Sequence, residues 1–235
     1  MSFGDSMLLH SASVAIPSKA KLHVDLELAL PDINDIAAQC QHLGHIGLVG
    51  ESAALAKVKA LVKHHGAGVY SLPYLAPHYC QELVHEFNEA GFNVNPEEEK
   101  PAQIPEIVLH HRSKPLYDCL AVLWEHAAVP LAHILWNLNP QLLGSIQAAQ
   151  YSPEEQPETV FHHDYHSDVT LVVNLGTAFE GGGTAVAPGL HEPGVILPPL
   201  PVGHAMFFRG KTQLHRGLPV TEGVRTLLVH WANLA

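Results

Sequence analysis

The spacing of apolar positions changes character along the chain, from helical periods in its first half to short strand-like runs in its second. Residues 21–30 alternate weakly, which predicts a strand. Ile33, Ile36, Ala37, Cys40 and Leu43 then fall on one helical face, a helix opened by Pro31 and ended near Gly44. A second helix is predicted over 52–64, with Leu55, Val58, Leu61 and Val62 inward and Lys57, Lys59 and Lys63 outward. Residues 69–72 predict a short strand. Pro77 starts a helix carrying Cys80, Leu83, Val84 and Phe87. The Pro- and Glu-rich segment 93–105 predicts a surface loop, and a further helix is expected over 116–132, with Leu120, Leu123, Trp124 and Ala127 as its stripe. After that, apolar runs at 145–150, 169–175, 184–187, 204–208 and 226–231 are separated by Gly- and Pro-rich connections, the pattern of a multi-strand sandwich or barrel. Residues 1–20 show no period and are expected to form a loose tail.

Composition narrows the function classes. The chain has 235 residues, 47% of them apolar, enough for a sizeable core. With 12 Lys+Arg against 23 Asp+Glu, its formal charge is −11. No basic run is available to displace counterions from a phosphate backbone, so no nucleic-acid partner is expected. Three cysteines, with no Cys-x-x-Cys, fit reduced thiols rather than a disulfide framework. Residues 1–17 lack the basic lead of a secretory signal, and no run approaches the ~18 consecutive apolar residues of a membrane helix. A cytoplasmic protein without a membrane partner is expected.

The chemistry concentrates in 151–231. His162 and Asp164 lie two apart, so in extended backbone both side chains project from one side and can converge on a metal. His215 can reach them from a later strand, and Arg225 follows it. Two imidazoles and one carboxylate on one face of iron(II) leave adjacent positions open for a bidentate co-substrate and O2. An arginine can grip a carboxylate at that co-substrate's far end through paired hydrogen bonds. A second His-x-Asp copy, His166 with Asp168, competes for the same reading. Around these residues stand Gln147 and Tyr151, the Gly181–Gly183 turn after Phe179, Gly203 before an apolar run, and Gly217, Leu218, Pro219 and Gly223 between His215 and Arg225.

In that order and spacing, the segments YSPEEQP…HHD (151–164), FEGGG (179–183) and HRGLPVTEGVR (215–225) resemble the iron(II)/2-oxoglutarate-dependent oxygenases of the prolyl 4-hydroxylase superfamily, and most of all the catalytic domain of procollagen lysyl hydroxylases. The resemblance covers about the last 90 residues well and the lead-in from Gly68 more loosely. It implies an α+β, mainly β architecture: a double-stranded β-helix (jelly-roll) core with flanking helices. Residues 1–67 form an N-terminal tail and helical preface, and 68–235 the oxygenase domain. His162, Asp164 and His215 become the iron ligands, Arg225 the holder of the distal carboxylate of 2-oxoglutarate, with Tyr151 nearby and Asn174 in the co-substrate pocket. The spacing from Tyr151 favours His162/Asp164 over His166/Asp168, and Thr170 sits one residue later than the family pattern. Expected cofactors are iron(II), 2-oxoglutarate and ascorbate.

The implied activity is hydroxylation of a substrate C–H bond with release of succinate and CO2. Asp164 favours hydroxylation, since halogenating relatives lack the carboxylate. The substrate is expected to be a protein or peptide side chain, such as lysyl or prolyl. The alternatives are a small metabolite, or a non-catalytic binding module on this fold. Arg216, Arg209 and Lys211 could meet an acidic substrate or serve solubility. Trp231 and His230 are expected to pack in the core, and His163 and His166 to flank the metal site.

Overall fold

The computed structural model describes residues 21–44, 46–97, 103–189 and 191–235. The tail expected over 1–20, and residues 98–102 of the 93–105 loop, lie outside them. Twelve strands are formed among the described residues. Seven make one sheet: β1 (Lys63–Gly66), β2 (Val69–Pro73), β9 (His204–Phe208), β5 (Val169–Asn174), β12 (Arg225–Asn233), β4 (Leu142–Tyr151) and β3 (Glu106–Val108), in that spatial order. Facing it are a three-stranded sheet, β10 (His215–Gly217), β7 (Thr184–Val186) and β8 (Val195–Leu197), and a β11 (Val220–Gly223) to β6 (Phe179–Gly181) pair. Every pairing is antiparallel. The expected jelly-roll core with flanking helices is the architecture found.

The helices pack behind the large sheet. They are α1 (Val24–Leu43), α2 (Ala53–Leu61), α3 (Pro77–Ala90), α4 (Leu109–Arg112), α5 (Lys114–Leu123) and α6 (Val129–Trp136). One buried cluster joins Leu26, Ile33 and Ile36 of α1 to Trp124, Phe207 and Leu228, so the preface and the sheet share a core.

Three local expectations are corrected. Residues 21–30 do not form a strand. Helix α1 already starts at Val24, behind His23, whose Nδ1 accepts the Asp25 N–H at 3.2 Å. The alternation misled because Leu22 and Leu26 satisfy periods of both two and four, whereas Val24 and Leu28 are left in solvent. Pro31 therefore lies inside the helix, tolerated on its exposed face, and Gly44 ends it at φ 81° as expected. Second, α2 stops at Leu61, and Lys63–Gly66 pairs with β2 as a strand. Third, the helix expected over 116–132 is two helices joined through one wide π turn at Trp124–Ala128, just before Pro130, whose ring cannot donate a helical hydrogen bond. The stretch Lys114–Trp136 is long and apolar enough to cross a membrane by length and composition, yet half of it is buried inside the protein. Cys40, Cys80 and Cys119 are free and buried.

Strand alternation decides what faces the space between the sheets. On β12, Thr226, Leu228, His230 and Ala232 turn to the helices, and Arg225, Leu227, Val229 and Trp231 turn the other way. Their partners on β4 are Tyr151, Ala149, Gln147 and Ser145. The core reading of His230 holds, for it is fully buried and stacked on Trp124. Trp231 is corrected: one position further along a strand, it falls on the opposite face and lines the cleft.

Candidate metal and co-substrate site

His162 and His215 are brought together by a two-residue bridge, each accepting the other's backbone N–H at 2.9 Å. The segment before His162 continues this zipper: the Thr159 N–H donates to the Gly217 carbonyl, and the Gly217 N–H donates to the Thr159 hydroxyl at 2.7 Å. Asp164 is set by its own N–H on the Gly210 carbonyl. A Cβ on Gly210 would stand 2.5 Å from the Thr170 hydroxyl and 2.7 Å from the Ser167 carbonyl, so only glycine lets this turn close.

The three side chains then converge. Asp164 Oδ1 is 3.7 Å from His162 Nε2 and 3.9 Å from His215 Nε2, and the imidazole centroids are 4.4 Å apart. Among the described residues, this is the group of His, Cys, Asp and Glu side chains placed to hold a metal ion. Each histidine has its Nδ1 on a backbone carbonyl two residues earlier, Val160 at 2.8 Å and Gln213 at 2.9 Å. That contact puts the proton on Nδ1 and leaves the Nε2 lone pair for a metal. Burial pushes the pKa of His215 below the ordinary histidine range and so favours the neutral, ligating form, while Asp164 pulls the other way. The Thr170 hydroxyl donates to Asp164 Oδ2 at 2.7 Å, leaving Oδ1 toward the imidazoles.

A cavity of about 120 Å3 runs from this triad to Arg225, with Tyr151, Thr184, Met206 and Leu227 among its walls. Arg225 is 6% exposed, Nη1 donates to the Gly183 carbonyl at 3.0 Å, and Nε is buried without a partner. The glycine run explains that fit: Gly182 lies flat against the Arg225 side chain, where a Cβ would be 3.3 Å from Cδ, and Gly183 passes under the Leu197 carbonyl at φ 99°. Tyr151 lies opposite Arg225 in the β4–β12 register. Burial pushes its phenol up to about 12, with Arg225 pulling the other way. Asn174 is placed differently. Its amide donates to the Leu200 carbonyl at 2.6 Å, and it borders Arg225 in a small space behind the main cavity.

The competing pair is not assembled. Asp168 is paired with Lys211 at 2.8 Å and accepts the Leu234 N–H at 3.1 Å, while the backbone carbonyl of His166 receives the Asn233 amide. Arg216 lies over the Phe161 ring at 5.1 Å and 3.7 Å from Glu158. That geometry bolts the His162 segment to β10 and leaves Arg209, exposed, outside the site.

Sequence reasoning missed Thr170 and Gly210 as the supports of Asp164, Thr159 as the tie to β10, and Glu106 on the cavity rim. Glu106 had no signal, because its three-residue strand lies between a segment of loop composition and a one-turn helix.

No family model matches the chain. A procollagen lysine hydroxylase and glycosyltransferase of Caenorhabditis elegans is 37% identical over 87 residues, 36% of this chain and 11% of that protein. The rat enzyme LH3 of the same description is 28% identical over 187 residues, 74% of this chain and 25% of its own length. The chain thus spans a quarter or less of these two curated relatives. Among solved structures, a prolyl hydroxylase from Trichoplax adhaerens, in complex with a hypoxia-inducible-factor peptide, superposes with a TM-score of 0.57 at 13% identity, covering 88% of this chain and 91% of that one. The epimerase SnoN of nogalamycin biosynthesis, in complex with Fe3+ and alpha-ketoglutarate, gives 0.55 at 18% identity over 77% and 84%. The fold is that of the iron/2-oxoglutarate oxygenases. Within an oxygenase fold of this kind, the triad lies at one mouth of the space between the sheets and Arg225 in its depth. The resemblance to procollagen lysyl hydroxylases is likewise found, in the curated relatives.

Proposed function

We propose that this chain is an iron(II)- and 2-oxoglutarate-dependent dioxygenase that hydroxylates a side chain of a protein or peptide, lysyl or prolyl. One observation carries the reading: a two-histidine, one-carboxylate group and a buried arginine with an unpaired Nε stand at opposite ends of one small cavity. The donor set fits iron(II), being two imidazoles that each present Nε2 and one carboxylate on a single face. The unpaired Nε fits an anionic partner, because a buried guanidinium atom left without an acceptor is costly.

In this reading His162, Asp164 and His215 hold the metal, and Arg225 binds the distal carboxylate of 2-oxoglutarate. With O2, the bound pair supplies oxidative decarboxylation to succinate and CO2 and hydroxylation of a C–H bond. The chain's own residues supply geometry. Thr170 fixes the Asp164 rotamer, Val160 and Gln213 fix the imidazole tautomers, and Tyr151 closes the wall beside Arg225. Asn174 orders the β8–β9 connection behind the co-substrate through Leu200. We assign 68–235 as the catalytic segment, and 1–67 as a preface whose described helices brace the back of the large sheet and whose last residues add β1 to its edge.

A peptide substrate is supported by the cleft of about 660 Å3 that opens outward from the triad. It is also supported by the relatives named above, which are called lysine hydroxylases, and by the peptide carried by the Trichoplax structure. Succinate release with iron(II) and 2-oxoglutarate, screened over lysyl and prolyl peptides and over small metabolites, tests it. Stimulation confined to peptides is expected; stimulation by metabolites alone would overturn the peptide assignment.

A further inference from the structure

Strand β4 carries two polar side chains that the fold leaves unpaired beside the triad. In the β4–β12 register, Ser145 and Gln147 lie opposite Trp231 and Val229, on the face turned to the space between the sheets. Gln147 lines both the inner cavity and the outer cleft, as His162 and Asp164 do, and so stands at the throat between them. Its neighbours across the sheet are Val229 on one side and Val108 on the other. Its side-chain amide makes no hydrogen bond among the described residues. Ser145 lines the outer cleft, and its hydroxyl is buried without a partner. Two other polar side chains of the cleft are engaged within the fold. Thr159 accepts the Gly217 N–H, and Asn233 donates to the His166 carbonyl and accepts from Lys211. Polar groups enclosed by a fold are ordinarily hydrogen-bonded, so an amide and a hydroxyl left open on one face point to a ligand that completes them.

Their spacing says what kind of ligand. Ser145 and Gln147 are two positions apart on one strand, about 7 Å along it. An extended peptide turns its N–H and C=O groups to one side with the same two-residue repeat. An amide offers a donor and an acceptor together, and a hydroxyl offers either, so the pair matches successive peptide groups rather than a charged or apolar ligand. Resting on the oxygenase reading above, we propose that Ser145 and Gln147 are substrate-orienting residues, which hydrogen-bond the main chain of an extended peptide crossing the cleft. Gln147, at the throat, holds the peptide group of the residue being oxidised, and Ser145 holds one two residues away. Recognition through the main chain makes the cleft selective for peptides over free amino acids and tolerant of flanking sequence.

The test uses the full chain loaded with manganese(II) and 2-oxoglutarate, so that binding is read without turnover. The ligand is the blocked pentapeptide, lysyl or prolyl, that releases most succinate in the screen above. Calorimetry compares it with analogues in which one main-chain amide at a time is an ester. In the native protein, an ester at or next to the central residue is expected to weaken binding about five- to tenfold, the scale of one hydrogen bond. In Gln147→Leu that penalty falls to about twofold or below, and Gln147→Asn, whose amide is drawn back by one carbon, shows an intermediate value. Ser145→Ala removes the penalty of a second ester, two residues along. A native protein that binds every ester as tightly as the amide overturns the proposal, and so does one stimulated by no peptide. An ester penalty that persists in Gln147→Leu overturns the role of Gln147, and one that persists in Ser145→Ala that of Ser145. Should Gln147→Leu fail to fold, Gln147→Asn and Ser145→Ala decide alone. The iron(II)/2-oxoglutarate absorbance band separates the two levels: its absence in the native protein removes the oxygenase reading, whereas its presence without an ester penalty removes only this one.

Discussion

Thr170 donates its hydroxyl to one oxygen of Asp164 at 2.7 Å, while the other oxygen of Asp164 stands 3.7 Å and 3.9 Å from the Nε2 atoms of His162 and His215. A residue on β5 thus aims a carboxylate that the preceding loop carries. Thr170→Val keeps the shape and removes the hydrogen bond, so Asp164 is free to rotate. Iron(II) affinity is expected to fall about tenfold or more, the usual cost of losing a ligand's outer partner. Anaerobic equilibrium titration checks this, and unchanged affinity would show that Thr170 has no part in orienting Asp164.

Arg225 is separated from the triad by the length of the cavity, so its loss is expected to act on the co-substrate alone. In Arg225→Ala, 2-oxoglutarate binding weakens on the order of 100-fold, as expected for losing charge-assisted hydrogen bonds, while iron(II) binding is largely kept. Lysine at 225 retains the charge but not the planar fork, and should recover only part of the affinity. Parallel titrations of metal and co-substrate distinguish the roles. Equal loss of both would contradict the assignment.

Gly210 makes a prediction about stability. A methyl group there meets the Thr170 hydroxyl at 2.5 Å, the Ser167 carbonyl at 2.7 Å and Asp164 Cβ at 2.9 Å. Backbone on one side prevents easy relief. Gly210→Ala is expected to cost about 1–3 kcal/mol and to weaken iron binding together with stability. Urea unfolding of the metal-free protein measures the first effect, and metal titration the second.

His230 gives the pH dependence. It is fully buried against Trp124 and Tyr74, and burial depresses its pKa to about 3, against a smaller opposing pull from the Leu171 backbone. Between about 6.5 and about 3, the unfolded chain takes up this proton and the folded chain does not. Stability therefore falls as pH is lowered through that window, with a slope from this one group approaching about 1.4 kcal/mol per pH unit. Above pH 7 the group contributes no slope. His230→Leu should flatten the unfolding free energy between pH 4.5 and 6.5 relative to the native chain. An undiminished slope in the variant would show that His230 is not the group responsible.

Much of the site was legible because its chemistry is local. His162 and Asp164 share a short extended segment, and the glycines that shape the Arg225 cradle leave a written pattern. Strands β4, β5, β7, β9 and β12 were legible for a related reason, each carrying a short apolar run between Gly- and Pro-rich connections, whereas the short strands β6, β8 and β11 were not read from the sequence. What escaped depended on partners distant in sequence. Residues 21–30 satisfy two periods at once, and only burial of Leu22, Leu26 and Ala29 in the shared core selects the helix. Trp231 and His230 are adjacent and both aromatic in character, so only the sheet's facing could assign one to the cleft and one to the core. Thr170 and Gly210 support Asp164 across loops whose closure no spacing rule describes. His166 and Asp168 match the same two-residue spacing as His162 and Asp164, and lose because Lys211 takes Asp168.

Everything proposed for the site depends on His162, Asp164 and His215 holding iron(II) while Arg225 seats 2-oxoglutarate on it. Anaerobic addition of iron(II) and 2-oxoglutarate to the purified protein tests this most directly, by the visible metal-to-ligand charge-transfer band of the bidentate complex. The band is expected to form in the native protein and in His166→Ala and to be lost in His215→Ala. No band in the native protein, or a band that persists in His215→Ala, would contradict the assignment.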